Sequence, residues 1–370
     1  MRTLACFIVL TLLLSILPAA FAEANFYEAP KQITVTFTGD CTLGTDDRER
    51  NTKTGFDAYI QKYGYEYPFA KVRDIFEADD LTVINLEGVF YDYDTYRTDK
   101  TYAFRGPTDY VNILTCSSVE AVYLGNNHTL DYGEPGIRST VETLESAGVK
   151  WFGTTEYTNA SYTYEKDGVK IGFVSVYISY WWQGGRSPMI QLMSELRRDG
   201  CQVIVACMHG GVEYDIRHDN NQEKLATALL EYGADIIVGN HPHTLQEIWV
   251  RDGKTILWSL GNFAFGGNSK LKNNKAGELN IDTCIAQITF SFDENNNYLG
   301  HQLRLIPCHL SGSTDYNDYQ PFPVTGKDAE KALKNMQRAV NCLRFNPFVE
   351  GYGSLQNFVA APRFQVGIIK

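Results

Sequence analysis

Short apolar runs alternate with helix-period segments along most of this chain, and each run is of strand length rather than helix length. Ile33–Thr38, Leu81–Ile84, Ala121–Leu124, Val169–Ile178, Val203–Met208, Ile236–Val238 and Thr255–Trp258 all read as strands. Amphipathic stretches stand between them: Pro68 to Ala78, Pro107 to about Val119, Gly136 to Ala147, Ser187 to Arg198, and Gln222 to Tyr232. In the last of these, Leu225, Leu229 and Leu230 share one face. The pattern then changes. Ile285–Phe292 and His301–Ile306 flank the turn-rich Asp293–Asn297 and read as an antiparallel pair, and a final helix is expected from about Lys327 to Leu343. Strand–helix alternation closed by hairpins predicts an α/β sandwich, with a ligand site at the carboxyl ends of the strands.

What stands past six of those seven strands is a carboxylate, an imidazole or an amide. Past the successive strands come Asp40; Asn85 and Glu87; Asn127, His128 and Asp131; His209 with Glu213; His241 and His243; and Asn262. One such residue would carry little weight, and His-x-His alone also fits an ordinary surface loop. Six strand ends of this kind form a ring of donors around one cleft. In Gly239-Asn-His-Pro-His243, Pro242 restricts φ between the two imidazoles and stiffens the loop that would hold them. Carboxylate, amide and imidazole donors together suit Mn²⁺, Zn²⁺ or iron, and the count is enough for one or two divalent ions. His128 reads as an acid–base group oriented by Asp131. His218, His301 and His309 sit among ordinary polar residues and read as structural. Gly39 and Gly125 suit close backbone approach at their turns.

With 370 residues, 44% of them hydrophobic, the chain has ample material for a core. A net charge of −11 makes it a poor binder of nucleic acid or anionic membranes, so an anionic substrate would need local cations, most simply metal ions. Arg2, the apolar run Leu4 to Leu17 and the small residues Ala20-Phe21-Ala22 read as a secretory signal peptide over 1–22, with a retained membrane anchor as the alternative. Export is therefore expected, to the envelope or the medium. The catalytic-type domain is expected over 31–345, followed by a tail, 346–370, without an assignment. The cysteines beyond the signal are scattered and several lie in apolar runs, as Cys207 does, so a disulfide framework is not indicated.

The motifs Gly39-Asp40, Asn85-Leu-Glu87, Phe104-Arg-Gly-Pro107, Asn127-His-Thr-Leu-Asp-Tyr-Gly133, His209-Gly-Gly-Val-Glu213, His241-Pro-His-Thr-Leu-Gln246 and Ser259-Leu-Gly-Asn-Phe263 resemble, in order, those of the CapA family. These are bacterial capsule, or poly-γ-glutamate, synthesis proteins, and the resemblance spans about Ile33 to Ile306. The family is similar in turn to calcineurin-like metallophosphoesterases. That implies a four-layer α/β/β/α sandwich of the metallo-dependent phosphatase type. It implies one ion held by Asp40, Glu87 and His243 and a second held by Glu87, Asn127, His209 and His241. His128, supported by Asp131, would protonate a leaving group, and Arg105, Asn85, Glu213 and Asn262 would meet the substrate. The chain departs from the larger superfamily at two points, which weighs against an ordinary phosphoesterase. Asp40-Cys41-Thr42 lacks a histidine, and Glu87 stands where an aspartate would bridge the ions. The expected activity is metal-dependent hydrolysis or transfer on an anionic envelope polymer such as poly-γ-glutamate, in company with membrane-bound capsule synthesis proteins. A non-catalytic polymer-binding or export component, or an exported phosphoesterase, are the alternatives.

Overall fold

Side chains alternate across a strand, so a strand that is apolar on both faces must be covered on both. In the Val203–His209 strand, Val203, Val205 and Cys207 enter one buried cluster. Ile204, Ala206 and Met208 enter another. The Leu81–Leu86 strand sorts likewise: Leu81 and Val83 join the first of these clusters, Ile84 and Leu86 a third. The computed structural model from which this follows describes residues 30–336, 345–349, 352–355 and 359–360.

Two sheets result. In the first, the strands run Tyr298–His309, Asp282–Phe292, Lys31–Thr42, Leu81–Leu86, Ala121–Tyr123 and Lys150–Thr154, antiparallel for the first three and parallel from Lys31–Thr42 onward. In the second they run Tyr162–Lys166, Val169–Tyr177, Val203–His209, Ile236–Asn240, Lys254–Leu257 and Ile248–Arg251, parallel in the middle and antiparallel at both edges. Lys150–Thr154 also pairs with Val169–Tyr177 through Thr154 and Val176, which joins the sheets at one side. Val35, Phe37, Val205 and Val238 pack between the sheets. Phe69, Phe76, Ile113 and Leu144 cover the outer face of the first sheet. Met189, Leu192, Leu225 and Leu229 cover that of the second. The layer order is α/β/β/α, as the family resemblance implies.

The differences are local. The helix expected from Pro68 to Ala78 is a 3₁₀ turn, Tyr67–Phe69, and a single turn, Arg73–Phe76. The one expected after Pro107 divides in the same way, into Thr108–Tyr110 and Val111–Thr115. Both stretches are rich in aromatic, β-branched and short polar residues that hold a helix weakly, so packing of single apolar side chains sets their shape. A helix at Phe56–Tyr63 and the strands Lys150–Thr154, Tyr162–Lys166 and Ile248–Arg251 had no clear periodic signal. The final helix is seen from Gly326 to Met336, and its expected continuation lies outside the described residues, as does the expected signal peptide. In the tail, Tyr352–Leu355 and Val359–Ala360 pair with Tyr298–His309 and extend the first sheet.

The strand ends meet closely. Lys31–Thr42 runs past Thr38, so Asp40 lies within the strand, in register with Asn85 on one side and Asn262 on the other. A Cβ on Gly39 would stand 2.2 Å from the Gly261 carbonyl oxygen, the same oxygen that accepts from the Asp40 amide at 2.8 Å. Gly125 is as confined: its Cβ would fall 2.4 Å from Ser175 Oγ.

Candidate metal centre

The donors from six strand ends converge, and nearly all are buried. Asp40 is fully enclosed: Oδ1 accepts from Asn85 Nδ2 at 2.7 Å and Oδ2 from the His241 backbone amide at 3.1 Å. His243 Nδ1 lies 3.2 Å from the same Oδ2 and 2.8 Å from Asn262 Oδ1. With Nδ1–H donating to those oxygens, Nε2 is left with its lone pair toward Glu87, the arrangement expected of a ligating imidazole. His209 Nε2 lies 2.7 Å from Asn127 Oδ1, 3.1 Å from His241 Nδ1 and 3.6 Å from Glu87 Oε1. Two groups of ligand atoms follow, each within 4.8 Å: Asp40, Glu87 and His243, and Glu87, His209 and His241. Asn127 Oδ1 adds a donor to the second. The sets share Glu87.

The backbone holds these groups under tension. His241 and His243 both have positive φ, 100° and 55°, on either side of Pro242. Such dihedrals are rare for residues with a Cβ and persist where surrounding contacts enforce them. Here the Pro242 carbonyl accepts from the Tyr214 amide at 2.7 Å, and the His241 amide is bound to Asp40.

Charge is unevenly met. Glu87 is completely buried, and neither of its oxygens accepts a hydrogen bond. Burial, with the Asp40 charge beside it, pushes its carboxyl well above the ordinary range. Burial opposes ionisation of Asp40 too, but the hydrogen bond from His243, the neighbouring imidazoles and the Asn85 amide outweigh it, and Asp40 titrates below its usual value. Burial drives His209 well below its ordinary value and His241 down to about 3, so both imidazoles are neutral at physiological pH. Neutral imidazoles and an unpartnered carboxylate facing one another are the donor set of a cation site, and the residues present fit one or two divalent ions.

A profile of the bacterial capsule synthesis protein family PGA_cap matches residues 34–267, more than half of the chain and every donor named above. The chain belongs to the PGA_cap family. Curated relatives agree. It is 29% identical over 275 residues to the PGA biosynthesis protein CapA of Bacillus subtilis, covering 68% of this chain and 70% of that one. It is 29% identical over 256 residues to the capsule biosynthesis protein CapA of Bacillus anthracis, covering 64% and 60%. Among solved structures, the NAD nucleotidase of Haemophilus influenzae aligns over 83% of this chain and 56% of that one, at 13% identity and a TM-score of 0.43.

In this PGA_cap protein His128 stands apart from the two ligand sets. Its Nδ1 lies 2.7 Å from Asp131 Oδ2, which also accepts from the Phe104 amide at 2.7 Å. A carboxylate can only accept, so Nδ1 carries a proton and Nε2 faces Glu87, 3.8 Å from Oε1. Lys100 Nζ completes the Asp131 shell at 2.8 Å. Two residues expected at the substrate are placed otherwise. Arg105 is buried, with Nη1 donating to the Tyr91 carbonyl at 3.0 Å and Nη2 bound to Asp94, so its guanidinium braces a loop. Asn85 lies behind the ligands, its amide nitrogen donating to Asp40 and standing 3.2 Å from His209 Nδ1, and its oxygen accepting from Asn126. Asn262 orients His243, and Glu213 is exposed on the turn after the His209 strand. His218, stacked on Trp258 and bound to Glu247, is structural, as is His301, between Thr255 and Tyr298. Asn126 was not singled out in the sequence. It grips Asn85 and the Leu86 carbonyl and accepts from the His128 amide, which sets the turn that presents Asn127. Its position inside the Gly-Asn-Asn-His motif was the available signal. Lys100 and Tyr177, whose ring lies 6.1 Å from both His209 and His241, had none.

Proposed function

We propose that this chain is an exported metal-dependent enzyme of capsule metabolism that hydrolyses or transfers at an amide or phosphoester bond of an anionic envelope polymer, with poly-γ-glutamate the first substrate to test. The observation that carries the reading is the shared Glu87 carboxylate, buried without a hydrogen-bond donor between two sets of neutral imidazole and carboxylate donors. Divalent ions bound there would supply Lewis-acid polarisation of a substrate oxygen. The chain's own residues supply the rest. Asp131 fixes the His128 ring and keeps the proton on Nδ1, so that Nε2 is the atom able to hold a proton for the leaving group. Asn85 and Asn262 hold Asp40 and His243 in place. The names of the Bacillus relatives support the polymer class, and the apolar leader at 1–22 supports export.

Metal content tests this. Protein expressed from Glu23 onward and purified without chelator should hold one or two Mn, Zn or Fe ions per chain, lost in a His209→Ala/His241→Ala variant. Metal-dependent turnover of γ-glutamyl oligomers, with no turnover of a simple aryl phosphate, would separate this activity from that of an exported phosphoesterase. A second reading draws on Asp40-Cys41-Thr42: the Thr42 hydroxyl is buried without a partner, and the Asp40 set has three donors where the other has four. A protein that takes up no ion even on reconstitution would be a polymer-binding component of the capsule machinery.

A further inference from the structure

Two hollows adjoin along one side of the metal centre. The nearer, of 290 Å³, is walled by Lys100, Asn127, Tyr177, Tyr180 and Gln183. It adjoins the second ligand set through Asn127, whose Oδ1 lies 2.7 Å from His209 Nε2, and Tyr177, whose ring lies 6.1 Å from His209 and His241. The outer one, of 770 Å³, is walled by Trp181, Trp182, Arg186 and Tyr232, and Gln183 belongs to both. The partition between them is a helical turn, Ile178–Tyr180, that passes into a kinked turn, Trp181–Gly185, broken at Gly184. The kinked turn buries Trp181 and leaves Trp182 53% exposed.

The lining of the outer hollow contains a cation and no acid. Arg186 Nη2 donates to Tyr232 Oη at 2.8 Å, and its guanidinium carbon lies 5.7 Å from the Tyr232 ring centroid and 6.0 Å from that of Trp181. Among the described residues it has no carboxylate partner. In a chain with a net charge of −11, an unpaired arginine held between aromatic rings is a selective feature. Its fork suits a carboxylate, and the ring faces around it suit methylene stems. In the nearer hollow Lys100 is ion-paired with Asp131 and bound to the Asn127 carbonyl, and Glu156 shares the lining, so the carboxylate contact of the pair of hollows is at Arg186.

We propose that the two hollows form one track for an extended polymer whose repeats carry a carboxylate on a short methylene stem. The repeat beside the metal centre occupies the Lys100 hollow. A repeat further along places its carboxylate on Arg186 and its stem against Trp182 and Tyr232. This deepens the polymer reading above and rests on it. It also makes affinity depend on chain length, since an oligomer that spans both hollows gains the second contact at high effective concentration.

The test is equilibrium binding, which needs no turnover. The full chain, loaded with Mn²⁺, is titrated with γ-linked glutamate dimer and decamer and with a uronic-acid decasaccharide, by calorimetry and tryptophan fluorescence. The decamer should bind at least tenfold more tightly than the dimer. Arg186→Ala and Trp182→Ala should each remove most of that advantage and leave metal content and dimer binding unchanged. Arg186→Lys should restore part of it. A length advantage untouched by either variant, or none in the unmodified chain, overturns the track. Tighter, Arg186-dependent binding of the uronate overturns the γ-glutamyl assignment. None of these outcomes alters metal content, so the enzyme reading stands or falls separately on the His209/His241 variant.

Discussion

Glu87 is the residue with most at stake. A buried carboxylate without a donor costs several kcal/mol unless it is protonated or paired with a cation. Glu87→Gln should therefore raise the stability of chelator-treated protein by roughly 1–3 kcal/mol. It should also cancel the rise in melting temperature on adding Mn²⁺; thermal melts with and without the ion read both effects. Asp131→Asn should leave metal content intact and lower turnover by about 10²-fold or more, because a neutral amide in that place would no longer hold the His128 ring as a charged acceptor. Away from the centre, Asp79 gives a pH signature. Burial, helped by the Glu120 and Asp80 charges and opposed by hydrogen bonds from Thr36 and Thr82, raises its carboxyl from 3.8 to about 7. The folded value lies above the unfolded one, so its contribution is fully present below about pH 4 and is lost as pH rises through about 7. Asp79→Asn should thus gain roughly 2 kcal/mol over the unmodified chain at pH 8, after allowance for partial solvent access, and little at pH 4. Urea melts at the two pH values would show it.

At the scale of elements, what was legible is the set of strands with long apolar runs. Val203–His209 and Ile236–Asn240 are buried throughout, and their sequences say so. The edge strands Tyr162–Lys166 and Ile248–Arg251 are half exposed and carry mixed side chains, so neither alternation nor a continuous apolar run marks them. The Asn220–Glu231 helix is marked twice, by its leucines and by a capping box between Asp219 and Gln222. Asp219→Ala should cost about 1 kcal/mol, seen as a fall of a few degrees in melting temperature. Gly39→Ala should cost about 3 kcal/mol or more, because the new methyl would meet a carbonyl that is already hydrogen-bonded to the strand.

The whole molecule is two sheets that touch through Lys150–Thr154 and enclose one core, with the donors gathered where their strands end together. Ion binding to such a site stabilises the folded state by mass action, by about 2.7 kcal/mol at a free ion concentration 100-fold above Kd. A rise of several degrees in melting temperature with Mn²⁺, reversed by chelator, is the expected outcome. Every cysteine among the described residues is free, and burial pushes the Cys41 thiol up to about 12.

The sequence by itself determined which residue types stand past each strand, because a strand's period and its polar stop are local properties. It therefore displayed the strand–helix alternation of an α/β sandwich, the family motifs and the Asp40, Glu87, Asn127, His209, His241 and His243 donors. Only the tertiary structure decided how they are used. Asp40 meets the His241 amide across 201 positions of chain, and Asn85 meets His209 across 124. Which atom faces inward at such a distance depends on how two sheets settle against each other. That packing turned Asn85 into a brace and Arg105 toward Asp94, left Glu87 without a donor, and brought Lys100 to the cleft from a loop with no periodic signal.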